Sequence, residues 1–359
     1  MIHDHINRVD IENYGCIRSV SVNLSPIHAL IGPNDSGKST ILRALRTATQ
    51  LAVGNFGPDP SISPSPFNPM IDVRTDGLRI GARYNDDLMY VIETRGGIKE
   101  SVWRSELVLL TDERPRSWQA AGLLQKPSEV SAVQVLVERL SKATMVRLDP
   151  NALRRPARQL LAPEPIQFFD ETGGGLASIY QAINSRDVDG FVALRDKVRQ
   201  LFPTVKTIRV PTIENNSVSL QIQLMDGTIV PAEAMSEGLL YFLAFSALEY
   251  LDETKLLLVE EPENGLHPAR IAQVMTILRE ISKRTQVVIA THSPLVVNEL
   301  AGNEVTVVTR DPEQGTRAKL LCDTKNYAER SELYRNGELW VAYGDGDTEK
   351  ALIEGGPRP

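Results

Sequence analysis

Gly32-Pro33-Asn34-Asp35-Ser36-Gly37-Lys38-Ser39-Thr40 is the stretch on which the reading of this chain turns. It satisfies G-x-x-x-x-G-K-[ST] at every fixed position. Before it, His28-Ala29-Leu30-Ile31 reads as a short buried strand. After it, Ser39 to Leu51 reads as a helix with Ile41, Leu42, Leu45 and Ala48 on one face. Strand, glycine-rich turn and helix N-terminus together make a phosphate cradle. Backbone N–H groups point into the turn and the helix dipole adds partial positive charge. Lys38 then reaches the β and γ phosphates, and Ser39 is placed to ligate Mg²⁺.

The bulk numbers bound the class. A chain of 359 residues allows one large domain or two ordinary ones. Its net charge of −7 argues against a general nucleic-acid coat, although a local basic groove is compatible with it. Cys16 and Cys322 fit no metal or redox spacing and read as reduced, partly buried residues. The N-terminal residues carry no basic region followed by an apolar run, and no apolar run is long enough to span a bilayer. The expectation is a soluble, cytoplasmic protein without membrane insertion.

Residues 6–12 and 17–24 alternate as a β-hairpin about Asn13-Tyr14-Gly15. Residues 54–70, rich in proline and glycine, read as a loop, and 71–110 as an antiparallel layer. From Glu129 the period becomes helical through Val130, Val133, Val137 and Leu140, with Ser128 as cap. Gly173-Gly174-Gly175 reads as a hinge or helix start. A helix over 188–201 is expected to turn Val188, Phe191, Val192, Val198 and Leu201 inward. Strands are expected near 205–210 and 217–224, with a turn at Asp226-Gly227. Residues 239–251 are nearly all apolar and predict a helix buried on several sides.

Lys255 to Val259 predicts a fully buried strand ending in Glu260-Glu261. Pro268 opens a helix whose Ile271, Val274, Met275, Leu278 and Ile281 face inward. Gln286 to Ala290 is a second buried strand, running into Thr291-His292-Ser293-Pro294, and Val305 to Thr309 is expected to close the sheet. Helices alternating with continuous apolar strands mean an α/β fold with a mostly parallel core sheet. Beyond about residue 325 the chain is polar and reads as a loose tail.

The paired carboxylates turn a phosphate cradle into a candidate catalyst. Glu260 is placed to hold Mg²⁺ directly or through water, and Glu261 to polarise an attacking water. His292, just past the next buried strand, is placed beside the same sheet edge, where open α/β sheets bind ligands, and could contact a γ-phosphate.

The order of these motifs resembles the ABC-type ATPases in their RecF/SMC/OLD-like soluble branch, small ATPases often grouped as AAA proteins. The likeness rests on Asn13 to Ile17, the Gly32–Thr40 loop, Ser236-Glu237-Gly238, the run Leu258 to Pro268 and Ala290 to Pro294. It covers roughly residues 5–52 and 166–310. It implies a P-loop NTPase with an ABC-ATPase head fold: a mostly parallel core sheet, an antiparallel β layer and an inserted helical lobe. The corresponding division is 1–52 and 203–325 for the ATPase core, 53–127 for the proline-rich loop and β layer, 128–202 for the signature-side lobe, and 326–359 for the tail.

By the same resemblance, Lys38, Glu261 and His292 are catalytic, Gly32 to Thr40 hold ATP, and Ser39 and Glu260 hold Mg²⁺. Ser236, Glu237 and Gly238 form the signature loop that contacts ATP bound to a second subunit, and Asn264 to His267 form a dimer-facing loop. The signature reads Ser-Glu-Gly rather than Ser-Gly-Gly, and Glu260 stands where transporter ATPases carry Asp. Gln167 is the candidate for a Q-loop glutamine.

The function implied is an Mg-ATP-hydrolysing head-to-tail dimer coupled to a partner in DNA repair or anti-phage defence. Members of this branch often carry a nuclease domain after the ATPase. The chain after His292 is short for one, with Asp345-Gly346-Asp347 a faint echo, so a separate nuclease polypeptide is the expected effector. The alternatives are the energy subunit of a membrane transporter, or an ATP-dependent scaffold with slow turnover. Arg154, Arg155, Arg158, Arg195, Lys197, Arg199 and Lys206 leave DNA open as a further partner.

Overall fold

A computed structural model describes residues 5–52, 79–83, 88–95, 102–109, 116–119, 142–213, 216–252, 254–311, 315–324, 327–331 and 334–343. The helix expected from Glu129, the proline-rich stretch 54–70 and Asp345–Asp347 lie outside the described residues. The chain opens with β1 (Arg8–Tyr14), β2 (Ile17–Asn23), β3 (Ile27–Ile31) and α1 (Lys38–Ala52). Strands β4 (Arg79–Arg83), β5 (Leu88–Arg95), β6 (Val102–Leu109), β7 (Arg116–Gln119) and β8 (Ala143–Val146) follow. Next come α2 (Pro150–Arg154), β9 (Ala157–Arg158), α3 (Leu176–Arg186), α4 (Val188–Leu201), β10 (Val205–Arg209), β11 (Ser217–Val218), β12 (Gln221–Leu224) and β13 (Ile229–Pro231). The last third holds α5 (Glu237–Ala247), β14 (Leu256–Glu260), α6 (Pro268–Ser282), β15 (Gln286–Thr291), α7 (Pro294–Val297), β16 (Val305–Asp311), β17 (Gly315–Leu320), α8 (Tyr327–Ser331) and α9 (Asn336–Tyr343).

Two compact units divide the chain. The first comprises Met1–Ala143, Lys255–Leu258 and Ser282–Pro359; the second comprises Thr144–Thr254 and Val259–Ile281.

In the first unit, β1 and β2 form the expected hairpin, with Val9 opposite Val22 and Ile11 opposite Val20. They continue an antiparallel sheet in the order β2-β1-β4-β5-β6-β7. Tyr14 leaves this hairpin and pins it to α1, its hydroxyl 3.0 Å from Thr47 Oγ1. A second sheet carries β17-β16-β3-β15-β14 in that order. Here β3 is parallel to both β15 and β16, so Ile31 pairs with Thr291 on one side and Val307 on the other. All residues of β3, β14 and β15 are buried, which explains their unbroken apolar runs: strands covered on both faces have no polar side to show. Ile41, Leu42 and Leu45 of α1 are fully buried, each contributing on the order of 2 kcal/mol.

Two polar side chains inside this unit are fully engaged. Gln286, at the start of β15, accepts from Ile6 N at 3.0 Å and donates to Ile6 O at 2.7 Å, replacing a strand partner for the N-terminal segment. His28 is wholly buried in β3, between Ser25 Oγ at 3.0 Å and Thr306 Oγ1 at 2.8 Å. Burial drives its pKa down to about 3 against the opposing charge of Glu304. At the far edge, β16 does not end the sheet as expected: β17 pairs with it antiparallel, Val308 opposite Ala318. Where composition gave only a polar tail, Tyr327–Ser331 and Asn336–Tyr343 are helical. Gly337 N donates to Asn298 Oδ1 at 2.8 Å, fixing α9 beside the end of α7.

The second unit is built on α5, whose residues Leu239 to Ala247 are all buried. Tyr180 of α3 donates to Leu243 O at 3.0 Å, and its burial raises the phenol well above its usual range. Helix α4 corrects the sequence reading of its face. Leu194 and Val198 are buried, whereas Val188 is 61 % and Val192 37 % exposed. Asp187 caps the helix by accepting from Gly190 N, which fixes its start with Val188 on the outer side. The strand expected over 217–224 is broken in two. Ser219 N bonds Pro211 O while Leu220 O accepts from Ala232 N, so β11 pairs with β9 and β12 joins β10 and β13. Gly227 closes the expected turn at φ +93°. Helix α6 buries Ile271, Val274, Met275, Leu278 and Ile281 as its spacing predicts.

Candidate functional site

The P-loop residues are shaped by their neighbours in the first unit. A Cβ on Gly32 would stand 2.0 Å from Val308 O of β16, so the loop leaves β3 with its backbone pressed against that strand. Gly37 has φ +108°, and a Cβ there would meet the Thr316 side chain of β17 at 2.5 Å. Thr316, itself buried, donates to Ser36 O at 3.0 Å. Pro33, Asn34 and Asp35 form an exposed crown with Asp35 at φ +65°, while Ser36, Gly37 and Lys38 are buried beneath it. Lys38 Nζ donates to Gly32 O at 2.8 Å and Pro33 O at 2.7 Å, so the ammonium is arched back over its own loop. Ser39 and Thr40 are half-buried on the first turn of α1.

The hairpin turn is a support that sequence reasoning did not find. A Cβ on Gly15 would lie 2.8 Å from Thr40 Cγ2, and Cys16 Sγ is 3.3 Å from Thr40 Oγ1. His292 follows Thr291 directly, and Thr291 is paired with the residue before Gly32, so both groups leave one sheet edge side by side. His292 is exposed there, and the turn after it is held by Ser293 N donating to Thr291 Oγ1 at 2.9 Å.

The remaining predicted residues belong to the second unit. Glu260, the last residue of β14, is 7 % exposed, and Arg147 Nε lies 3.8 Å from its Oε2. Glu261 has φ +50°, a left-handed conformation uncommon for a residue with a side chain. Asn264 holds it there: Nδ2 donates to Glu261 Oε2 at 2.7 Å, and its backbone N–H donates to Glu261 O at 3.1 Å. Gly265, at φ +67°, leaves no room for a side chain, because a Cβ would stand 2.2 Å from the Tyr241 ring.

Ser236 caps α5, its Oγ accepting from Leu239 N at 3.4 Å, with Ser236 and Glu237 exposed. A Cβ on Gly238 would be 3.6 Å from Gly265 O, so the Ser236–Gly238 and Asn264–His267 loops abut. Arg154 donates to Met235 O at 3.4 Å, just before that cap. The structure thus brings the P-loop and His292 together in one unit, and the acidic strand end, the Asn264 loop and Ser236–Gly238 together in the other. Gln167 lies exposed in coil rather than at a strand start.

Several of the clustered cations are engaged. Arg158 pairs with Glu164 at 2.6 Å and lies over the Phe169 ring, Lys197 pairs with Glu249 at 2.7 Å, and Arg195 pairs with Asp196 at 2.8 Å. Taken singly, each offers an oxygen donor of the kind a hard divalent cation takes: Ser39, in the first unit, a hydroxyl at the start of α1, and Glu260, in the second, a nearly buried carboxylate at the end of β14. Among the described residues, no helix is long and apolar enough to cross a membrane.

Comparison with known proteins agrees with this architecture. The chain is similar to the SmcHead solved with the C-winged helix domain of ScpA, at 15 % identity and a TM-score of 0.56, over 88 % of this chain and 97 % of that one. It is also similar to an Smc head domain with an extended coiled coil, bound to the C-terminal domain of ScpA derived from Pyrococcus furiosus. That match has 11 % identity and a TM-score of 0.52, over 88 % of this chain and 96 % of the other. These likenesses establish the fold, that of an ABC-ATPase head. An OLD nuclease from Thermus scotoductus (strain ATCC 700910 / SA-01) is 36 % identical over 53 residues, 15 % of this chain and 9 % of that protein's length. A family model covers residues 27–298, from β3 through the P-loop to just past His292. By that match the chain belongs to the family described as "AAA domain, putative AbiEii toxin, Type IV TA system", and together with the OLD nuclease and Smc head likenesses it fits an ABC-type ATPase of the RecF/SMC/OLD branch.

Proposed function

We propose that this protein binds and hydrolyses Mg-ATP, and that its sites are completed by a second copy of the chain. The observation that carries the reading is the P-loop itself, with Lys38 buried and bridged to Gly32 O and Pro33 O. An ammonium held against its own loop carbonyls is pre-positioned for phosphate oxygens and exchanges two neutral acceptors for charged ones when a nucleotide arrives. Ser39 and Glu260 would hold the magnesium ion, which neutralises phosphate charge when bound. Glu261, kept in place by Asn264, accepts a proton from the attacking water. His292, leaving the sheet edge beside Gly32, donates a hydrogen bond to the terminal phosphate. The exposed N-terminus of α5 at Ser236-Glu237-Gly238, with one bond closed by the Ser236 cap, supplies N–H donors for the phosphate held by the partner copy.

Purified protein with ATP and Mg²⁺ tests the roles of Lys38 and Glu261. Lys38→Ala is expected to lose nucleotide binding. Glu261→Gln is expected to bind ATP, lose turnover and accumulate as a dimer by light scattering. Hydrolysis by Glu261→Gln at the parent rate would remove Glu261 from the mechanism. The likeness to an OLD nuclease supports a role in a nuclease-containing system of DNA repair or anti-phage defence.

A further inference from the structure

The roles above leave Arg147 unused, yet it lies on the proposed metal ligand. The Glu260 side chain is 5 % exposed and that of Arg147 57 %, with Nε 3.8 Å from the carboxylate. A carboxylate so far out of water needs a cation nearby. The backbone around Arg147 is fixed: its N–H donates to Glu171 O at 2.7 Å, and the next carbonyl, Leu148 O, accepts from Tyr241 Oη at 3.3 Å. Asp149 then caps α2 through the N–H groups of Asn151 and Ala152. The main chain is thus held on both sides, while the guanidinium side chain is open to solvent.

We propose that Arg147 is a resident counter-cation of Glu260 that a divalent ion must displace. The inference rests on the reading of Glu260 as a metal ligand. A Mg²⁺ ion sits about 2 Å from its ligating oxygens, and a guanidinium on the same carboxylate repels it across a few ångström. The two cations therefore compete. Arg147 stabilises the metal-free carboxylate and raises the Mg²⁺ concentration at which the site fills, so that cation loading and arginine release are one event. The guanidinium, 57 % exposed, is rehydrated as it leaves, and the arriving ion takes over the carboxylate charge it balanced.

The test is Mn²⁺ binding to the full chain with saturating ATP, read from the paramagnetic resonance signal of unbound Mn²⁺. Arg147→Gln is expected to bind Mn²⁺ roughly fivefold tighter than the parent, the most that a half-exposed pair is worth. Arg147→Lys keeps the charge and should stay near the parent, and with Glu260→Gln in the background the arginine exchange should no longer matter. ATP affinity in EDTA and the melting temperature check that each variant is folded. Mn²⁺ affinity in Arg147→Gln that equals or falls below the parent's, with ATP affinity in EDTA unchanged, overturns the proposal. Unchanged Mn²⁺ affinity in Glu260→Gln alone would instead overturn the ligand assignment beneath it.

Discussion

Replacing His28 by glutamine should flatten the acid dependence of stability. The imidazole is wholly buried and its pKa is lowered from 6.5 to about 3. Between those values the unfolded chain holds a proton on this ring that the native state does not, so stability is fully present above pH 6.5 and falls as the pH drops. Each pH unit in that window removes about 1.4 kcal/mol. The loss is roughly 3 kcal/mol by pH 4.5 and about 5 kcal/mol once pH 3 is reached. The assay is urea unfolding of parent and His28→Gln at half-unit steps from pH 7.5 to 4.5. Carboxylates titrate equally in both proteins, so the difference between the two curves isolates the ring. Glutamine sets its own offset by how well it bonds Ser25 and Thr306; the slope is what decides. Parallel curves would refute the argument, as would an Nε2–H or Cε1–H resonance of His28 that titrates near pH 6 in the folded protein.

Two further substitutions probe the loops. Gly32→Ala forces a Cβ to 2.0 Å from Val308 O and must push the P-loop off β16, so ATP binding should fall at least tenfold while β-sheet content by circular dichroism is retained. Wild-type affinity in that variant would mean that the loop does not need its contact with β16. Asn264→Ala removes the 2.7 Å bond to Glu261 and should lower ATP turnover about tenfold with nucleotide affinity unchanged, the signature of a positioning residue. A matched loss of affinity would place Asn264 in binding instead.

The parts of the fold read most directly from sequence are those where burial leaves no choice. Leu256 to Glu260 and Gln286 to Thr291 are covered on both faces, so their apolar runs can only be interior strands, and the carboxylates after the first stand out against them. The glycine-rich loop is equally plain, because Gly32 and Gly37 answer to local crowding by Val308 and Thr316. Faces of amphipathic helices are another matter. Helix α4 offers apolar residues all round, and the side that is buried depends on the surrounding elements, so Leu194 and Val198 went inside and Val188 outside. The break between β11 and β12 follows from Ser219 and Leu220 finding partners on opposite sides of the chain, at Pro211 before them and Ala232 after them. Arg147 is the same kind of case: one arginine among many in the sequence, singled out by a neighbour more than a hundred residues on.

The left-handed backbone of Glu261 has a consequence for how this protein would respond to selection. A non-glycine residue in that conformation gives up on the order of 1 kcal/mol that glycine would recover. Laboratory evolution for heat resistance alone should therefore drift toward glycine at position 261, gaining robustness at the expense of the carboxylate assigned to water activation. Retention of glutamate under pressure for activity, and its loss when that pressure is lifted, would mark the position as one where fitness for work and fitness for folding pull in opposite directions.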